Sequence, residues 1–123
     1  SPPGANTVTL TFTCLSVCVS TALTAMAAQL LQEDLSLTRS RGQSVSFSCG
    51  ATDQCGSYNV AWYQKKDSET FKAILYITNG GSTEKPFSHP QEKDFSAEKN
   101  PKSCSLKINT VKLYHSASYY CGC

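Results

Sequence analysis

The stretch Leu113-Tyr-His-Ser-Ala-Ser-Tyr-Tyr-Cys-Gly-Cys123 decides how the rest of the chain is interpreted. In it, two tyrosines lead directly into Cys121. Far upstream, Cys49 lies in a segment where polar and apolar residues alternate, and Trp62, the only tryptophan, follows it. Such alternation is typical of a strand with one buried face. The order Cys49, Trp62, Tyr119, Cys121 is therefore the pattern with which every other segment is compared.

These residues resemble the core of an immunoglobulin variable domain, in which a cysteine, a tryptophan and a Tyr-x-Cys segment occur in this order. Trp62-Tyr-Gln64 and Tyr119-Tyr-Cys121 carry the resemblance, which extends over residues 28–123. It implies a disulfide between Cys49 and Cys121 that joins two sheets, with the Trp62 indole packed against it. It also implies that the Tyr119 hydroxyl bonds to nearby backbone. The expected fold class is all-β, a two-sheet Greek-key sandwich of the V type.

Short strands separated by turns are predicted along most of the domain, because alternating segments are flanked by glycine, proline or charged residues. The predicted strands cover residues 29–37, 44–49, 60–64, 71–77, 94–97, 104–108 and 117–121. Extra strands between Trp62 and Phe95 favour the variable over the constant type. The chain stops where the third loop would begin, so the resemblance implies a germline segment with its last strand missing. We expect the outer edge of the strand that ends at Cys121 to be unpaired.

The first 27 residues differ from the rest and are predicted to be a partial signal peptide. A weakly apolar run leads to Ala25-Met-Ala27, which has small residues at the two positions that a signal peptidase reads. The segment lacks a starting methionine and a basic front end, and a retained apolar helix is the alternative interpretation. Removal would take Cys14 and Cys18 with it. The expected division is a signal peptide over residues 1–27 and a V-type domain over residues 28–123.

Length and composition limit the classes of function. A chain of 123 residues, 40% of them hydrophobic, supports one domain with one core. Charged residues make up 16% and the formal net charge is +2, so no nucleic-acid partner is expected. Seven cysteines favour an oxidising compartment. Beyond the predicted leader no run is apolar enough to span a bilayer, so membrane attachment is expected only through segments outside this sequence.

Several segments are most similar to a T-cell receptor gamma variable segment. They are Ile74-Leu-Tyr76, Phe95-Ser-Ala-Glu-Lys99, Cys104-Ser-Leu-Lys-Ile108 and the ending at Cys123. The resemblance implies an antigen receptor on the extracellular side of the plasma membrane, which pairs with a delta-like partner variable chain and recognises antigen through its loops. Two alternatives are an innate V-set adhesion or inhibitory receptor and an immunoglobulin light-chain variable segment.

The family resemblance also implies a sheet face that meets the partner domain. Tyr63, Lys65, Phe71 and Tyr120 are expected to point outward there, where aromatic side chains become buried on association. Lys65 stands where the family usually has a glutamine that bonds its twin across the interface. A positive charge at that position disfavours self-pairing and favours a heterodimer.

Loop tips are the expected antigen-binding positions, because loops on a rigid scaffold carry binding. The relevant loops are residues 51–59 and 77–83, with the third loop starting at Gly122. Tyr58 is the best single contact candidate, since tyrosine offers a large contact area at low entropic cost. Asn79 and Ser82 are expected to add polar contacts.

The cysteines outside the core pair suggest a second disulfide. Cys104 shares the inward face of its strand with Leu106 and Ile108. Cys55 falls within the first loop, where variable domains usually tuck a side chain onto the core. We therefore hypothesise a Cys55–Cys104 bridge, with two buried free thiols as the alternative. Cys123 is expected to be a residue at the base of the third loop.

Asp94 and His115 stand where the family usually has a basic residue and an aspartate that form a salt bridge. We hypothesise that they face each other with the polarity of the bridge inverted. The alternatives are that Lys93 points into the site or that both side chains are solvated. If the pair forms, a raised pKa of His115 is expected, with stabilisation at low pH that is lost as pH rises through that pKa.

Catalytic candidates are nearly absent from the sequence. There are two histidines, and no Ser/His/Asp order, paired carboxylates or phosphate-binding glycine loop is visible. A zinc site built from Cys121, Cys123 and His115 is disfavoured, because Cys121 is already committed to the core disulfide. We therefore expect neither an enzyme nor a cofactor.

Overall fold

The computed structural model describes residues 7–14, 35–50 and 52–123. Within these residues the chain is built from β-strands and short 3-10 helices. The strands are β1 Thr7–Cys14, β2 Leu35–Ser40, β3 Val45–Gly50, β4 Val60–Lys65, β5 Lys72–Ile77, β6 Thr83–Glu84, β7 Phe95–Asn100, β8 Ser103–Ile108 and β9 Ala117–Gly122. The 3-10 helices are Thr52–Cys55, Glu92–Asp94 and Leu113–His115.

The strands form two sheets, as expected for a V-type sandwich. The larger sheet has the order β2-β1-β9-β4-β5-β6, and the smaller has the order β3-β8-β7. Strands β5 and β6 are the extra pair that favoured the variable type. The parallel pair β1–β9 differs from the other strand pairs described, which are antiparallel.

Alternation along β3, β4, β8 and β9 places side chains at every second position in one core between the sheets. In β3, Val45, Phe47 and Cys49 are buried while the serines between them are exposed. The Phe47 ring stacks on the Tyr119 ring across the sandwich, with centroids 5.2 Å apart. The two-residue alternation of apolar and polar side chains in the sequence therefore predicts which side chains enter the core.

Strand β1 departs from the expected arrangement. It pairs with the outer edge of β9, so the expectation that this edge is unpaired is wrong. Its sequence explains why: Thr7-Val-Thr-Leu-Thr-Phe-Thr13 alternates strictly, and Val8 and Leu10 are buried in the core. Thus part of the predicted signal peptide belongs to the sheet. Its removal after Ala27 stays a prediction, since that site and Cys18 lie outside the described residues.

Candidate functional site

The core disulfide is the reference point for both ends of the sandwich. Cys49 and Cys121 are bonded across the sheets, which confirms the predicted pair, and Trp62 and Tyr119 are fully buried in the same core. The Tyr119 hydroxyl donates to the His115 carbonyl oxygen at 2.6 Å, the predicted bond to nearby backbone. Burial raises the pKa of Tyr119, so the phenol stays protonated and acts as a neutral donor.

A second disulfide joins Cys55 to Cys123, so the hypothesised Cys55–Cys104 bridge is wrong. Cys55 ends the 3-10 helix Thr52–Cys55 in the first loop, and Cys123 directly follows β9. Cys104 instead lies opposite Cys49 within the smaller sheet, because β8 pairs with β3 in that register. The bond therefore ties the first loop to the end of β9. We call this region the loop end, comprising residues 52–58 and 122–123.

Cys104 is a buried free thiol, so the alternative of free thiols holds for this residue and not for Cys55. Its Sγ accepts a hydrogen bond from Trp62 Nε1 at 3.3 Å. Burial raises the pKa of the Cys104 thiol, which keeps it in the neutral and unreactive form. This residue therefore belongs to the core.

At the other end of the sandwich Asp94 and His115 face each other, as hypothesised. Asp94 Oδ2 accepts from His115 Nε2 at 2.9 Å and from the Tyr114 hydroxyl at 3.0 Å. The imidazole is fully buried, whereas the carboxylate side chain is partly exposed. Lys93, the alternative occupant, is exposed.

The expected rise in the pKa of His115 is wrong. Burial lowers this pKa, and it outweighs the hydrogen bond and charge of Asp94, which act in the opposite direction. One hydrogen bond of His115 also favours a lowered pKa, because the Lys112 backbone N–H donates to His115 Nδ1 at 2.9 Å. Nδ1 is therefore the unprotonated nitrogen, and its protonation would break that bond. The pair is a neutral imidazole that donates to a carboxylate.

His89 repeats this arrangement, and no role was assigned to it from the sequence. The Gln91 backbone N–H donates to His89 Nδ1 at 3.1 Å. His89 Nε2 then donates to Gln64 Oε1 at 2.9 Å. The side chain is buried, and burial is the main reason that its pKa is lowered. His89 is thus a second neutral, buried imidazole.

Gln64 connects the two histidines. Its Nε2 donates to the Tyr119 hydroxyl at 3.0 Å, while its Oε1 accepts from His89. The Phe95 ring lies between the imidazoles and contacts each edge-on, at centroid distances of 5.7 and 5.6 Å. We call this connected set of Gln64, His89, Asp94, His115 and Tyr119 the base network.

The predicted partner face lies on the outside of the larger sheet. Tyr63, Lys65 and Tyr120 are partly exposed, in alternation with buried residues of β4 and β9. Phe71 is 50% exposed, and its ring packs edge-on against Tyr120 at a centroid distance of 4.9 Å. These four residues, which we call the aromatic face, therefore lie close together as expected.

A second aromatic pair extends this surface and was not singled out from the sequence. The ring of Tyr76 in β5 packs edge-on against the ring of Phe87, with centroids 6.0 Å apart, and Phe87 is 43% exposed. Tyr76 lies opposite Ala61 in the strand register, on the outer side of β4 and β5. The signal in the sequence that could have identified this pair is Tyr76, an aromatic residue at an outward position of a predicted strand.

The predicted ligand positions lie on exposed loops. Tyr58 is 73% exposed, the largest value among the large apolar side chains that the structure describes, and Asn79 and Ser82 are exposed as well. The Ser82 backbone N–H donates to Thr78 Oγ1 at 3.1 Å, which closes the second loop. Beside these loops lies a polar cleft of about 300 Å³, whose lining includes Asp53 and Asn79.

Neither a metal site nor a membrane-spanning helix is found in residues 7–14, 35–50 and 52–123. No group of three or more histidine, cysteine, aspartate or glutamate side chains there is placed to hold a metal ion. No helix in those ranges has the length and apolar character needed to cross a membrane.

Comparisons with known proteins agree with this architecture. The immunoglobulin V-set domain profile matches residues 32–123. Human T cell receptor beta variable 16 is 32% identical over 112 residues, covering 90% of this chain and 94% of that protein. A rat Ig kappa chain V region is 31% identical over 76% of this chain and 80% of its own length. A mouse T-cell receptor gamma chain V region is 30% identical over 76% of this chain and 70% of its own length.

Fold, core disulfide and aromatic face together define a variable-type immunoglobulin domain. The chain belongs to the immunoglobulin V-set family, and it is homologous to variable segments of T-cell receptors and immunoglobulins.

Proposed function

We propose that this chain is the variable segment of an antigen receptor, most similar to the T-cell receptor gamma type. It pairs with a partner variable domain and recognises antigen through its loops. The observation that carries the proposal is the aromatic face. Phe71 is half exposed and packs on Tyr120, and Tyr63 lies on the same side of the sheet. Aromatic area of this kind becomes buried when two domains associate.

Charge favours a partner that differs from this chain. Lys65 is partly exposed on the outer face of β4, and it has no ion pair among the described residues. In a symmetric pair two such lysines would approach each other, which costs free energy. A delta-like variable domain, with a neutral or acidic residue opposite Lys65, is the partner that the proposal names.

The chain type rests on the sequence segments rather than on overall identity. Relatives of the beta, kappa and gamma types match at 32%, 31% and 30% identity, which does not separate them. The segments Phe95-Ser-Ala-Glu-Lys99 and Cys104-Ser-Leu-Lys-Ile108 favour the gamma type. Both lie on the smaller sheet, away from the aromatic face.

Antigen contact is assigned to the loop end and the second loop. Tyr58 is the proposed anchor because its ring is largely exposed on a loop that the Cys55–Cys123 bond holds in place. Asn79 and Ser82 add polar contacts from the second loop. The two disulfides support an extracellular location, since such bonds persist in oxidising compartments.

Pairing is tested by mixing the secreted chain with variable domains of the delta, beta and immunoglobulin heavy types in sedimentation experiments. We expect a one-to-one complex with the delta type, and loss of that complex in Phe71→Asp. The matched control is Ser96→Asp, which adds the same charge on the exposed side of the smaller sheet and should pair normally.

Normal pairing by Phe71→Asp would contradict the assigned face. Binding only to the heavy type would favour a light-chain segment, and binding to none would favour an innate receptor.

A further inference from the structure

The polar cleft beside the loops lies between three segments of the chain: the first loop, the second loop, and the turn that joins β7 to β8. Its volume of about 300 Å³ is at the lower end of the range for small-molecule sites. Apart from Pro101, the described side chains that line it are polar or charged. They include Thr52 and Asp53 of the first loop, Asn79 of the second loop, and Lys99 and Asn100 before the turn.

Hydrogen bonds within the chain hold the walls of this cleft in place. Asn100 Oδ1 accepts from the backbone N–H groups of Lys102 and Ser103 at 2.9 and 2.8 Å, which fixes the turn. The Thr52 backbone N–H donates to the Lys102 carbonyl oxygen at 3.3 Å, which joins the first loop to the turn. The walls therefore keep their positions without a ligand, and this lowers the entropic cost of binding one.

Lys99 brings an unpaired positive charge to the cleft. It shares the inward-facing side of β7 with Phe95 and Ala97, and it lies opposite the buried Cys104 of β8. Lys99 is partly buried and forms no ion pair with any described residue. A cation that has lost part of its contact with water is stabilised by an anionic partner, so this position favours a ligand with a negative group.

Thr52 adds an unpaired hydroxyl to the same cleft. The residue is 1% exposed, and its Oγ1 has no hydrogen-bond partner within the part of the chain that the structure describes. Because this hydroxyl has already lost its bonds to water, a ligand oxygen that pairs with it gains free energy with little loss of hydration. The Thr52 hydroxyl and the Lys99 ammonium are both donors, which suits a carboxylate.

Asp53 supplies the opposite charge. Its side chain is exposed on the first loop, and it too has no ion pair among the described residues, so it does not neutralise Lys99. A ligand with a carboxylate alone would be attracted by Lys99 and repelled by Asp53. A ligand that carries both a carboxylate and an ammonium group complements both side chains.

We propose that the polar cleft binds a small zwitterion of the amino-acid or short-peptide class, with its carboxylate at Lys99 and Thr52 and its ammonium group at Asp53. The proposal rests on the proposed function, since it names the ligand class of the same loops.

The test is an NMR titration of the full oxidised chain with the dipeptide alanyl-alanine, followed at the backbone amides of Gly80 and Asn100. Its C-terminal amide and its N-acetyl form each lack one charge. We expect the unmodified dipeptide to bind at least about tenfold more tightly than either derivative, because each derivative loses one charge-assisted bond. No binding of the dipeptide, or equally tight binding of either derivative, would overturn the proposal.

Variants of the chain assign the two charges. Lys99→Met should lower the affinity for the dipeptide at least about tenfold, and Asp53→Asn at least about threefold, since Asp53 is the more exposed of the two. The matched controls are Lys107→Met and Asp67→Asn, which make the same changes at exposed positions outside the lining and should bind normally. Equal losses in a variant and its control would show that binding follows net charge, and the proposed site would be wrong.

Thr52→Val separates binding from folding. Loss of an unpaired buried hydroxyl should leave the urea midpoint unchanged or raise it, while the affinity for the dipeptide falls at least about threefold. Unchanged affinity in this variant would overturn the role of Thr52. All of these measurements use the chain without a partner domain. Their failure would leave the pairing experiment with Phe71→Asp unaffected, and the reverse also holds.

Discussion

The loop end and the base network stabilise the two ends of β9 by different chemistry. At the loop end, the Cys55–Cys123 bond joins the residue after β9 to the first loop, next to the core disulfide that joins β9 to β3. At the base, the Tyr119 side chain of β9 bonds to Gln64 of β4 and to the His115 carbonyl oxygen, and the His115 side chain bonds to Asp94, all through hydrogen bonds. The loop end is therefore sensitive to reduction and insensitive to protons, and the base has the opposite sensitivities.

This difference shows how one domain meets two requirements. The proposed antigen-binding loops need a fixed conformation, and a disulfide supplies it without depending on pH. The base carries no proposed ligand, so its polar side chains serve mainly to satisfy one another within the core. Two imidazoles in that set have bonds that require the neutral form. The base is thus the end that acid should loosen first.

Removal of the core disulfide should have the largest effect. The double variant Cys49→Ala, Cys121→Ala frees a loop with a sequence separation of 72, and we expect a loss of about 4 kcal/mol in the free energy of unfolding. Urea denaturation measures it. Cys104→Ala is the control, because it removes a buried sulfur without changing any disulfide, and its cost should be below about 2 kcal/mol. Equal costs for the two variants would mean that the disulfide adds no constraint.

Removal of the loop-end disulfide should cost less, although its own sequence separation of 68 is similar. With the core bond intact, only five residues lie between Cys49 and Cys55, and only Gly122 lies between Cys121 and Cys123. The ring that the second bond closes is therefore short, and Cys55→Ala, Cys123→Ala should cost about 2.5 kcal/mol. A cost as large as that of the core pair, in the same denaturation experiment, would show that the two bonds act independently.

Tyr119→Phe should be the next most costly change. It removes the hydroxyl that bonds the His115 carbonyl and Gln64, and both partners stay buried, so we expect a loss of about 2 kcal/mol. Tyr120→Phe is the neighbouring control, because Tyr120 is partly exposed and its change should stay within about 0.5 kcal/mol. If both variants unfold at the same urea concentration, the base network does not stabilise the fold.

The pH dependence of stability should be the mildest effect near neutrality. The pKa values of His89 and His115 are lowered in the folded state, so just below the ordinary value of 6.5 the unfolded chain binds more protons. Stability is therefore full above pH 6.5 and falls as pH drops through the folded pKa values. Measurements of the urea midpoint from about pH 8 to about pH 5 should show this decline.

Histidine variants separate this effect from other titrations. His89→Gln and His115→Gln are expected to be less stable at all pH values but to show a flatter decline with acid. The charges around the histidines must be kept constant. They are Lys66, Lys72, Glu92 and Asp94 for His89, and Lys66, Lys112 and Asp94 for His115. If a variant that carries both His89→Gln and His115→Gln lost stability with acid as steeply as the unaltered chain, the decline would be assigned to other groups.

The sequence predicted the core better than either end. The alternation around Cys49 and the spacing to Trp62 and Cys121 give the V-type sandwich, because burial on one face of a strand leaves a period of two. The contact between Asp94 and His115 was also predicted, since it follows from paired positions in the family. The direction of the His115 pKa was not, because it depends on burial and on a backbone donor that no side-chain pattern shows.

The remaining errors share one physical cause, which is that contacts between distant segments decide them. Cys55 was predicted to pair with Cys104, and only the position of the first loop beside the end of β9 makes Cys123 its partner. The role of His89 depends on a glutamine that is distant in the sequence and adjacent in space. The edge of β9 was expected to be unpaired because Thr7-Val-Thr-Leu-Thr-Phe-Thr13 was assigned to a leader from its overall hydrophobicity, whereas its strict alternation fits a strand.

The contrast between the two ends is tested most directly by residue-resolved hydrogen exchange of the oxidised chain. The reporting amides at the base are those of Gln91 and Lys112, which donate to the histidine Nδ1 atoms. At the loop end, the amide of Tyr58, which donates to the Cys55 carbonyl oxygen, is the reference. On acidification below the ordinary histidine pKa of 6.5, we expect the protection factors of Gln91 and Lys112 to fall while that of Tyr58 is unchanged. Equal changes at all three amides, or retained protection at the base, would contradict the account.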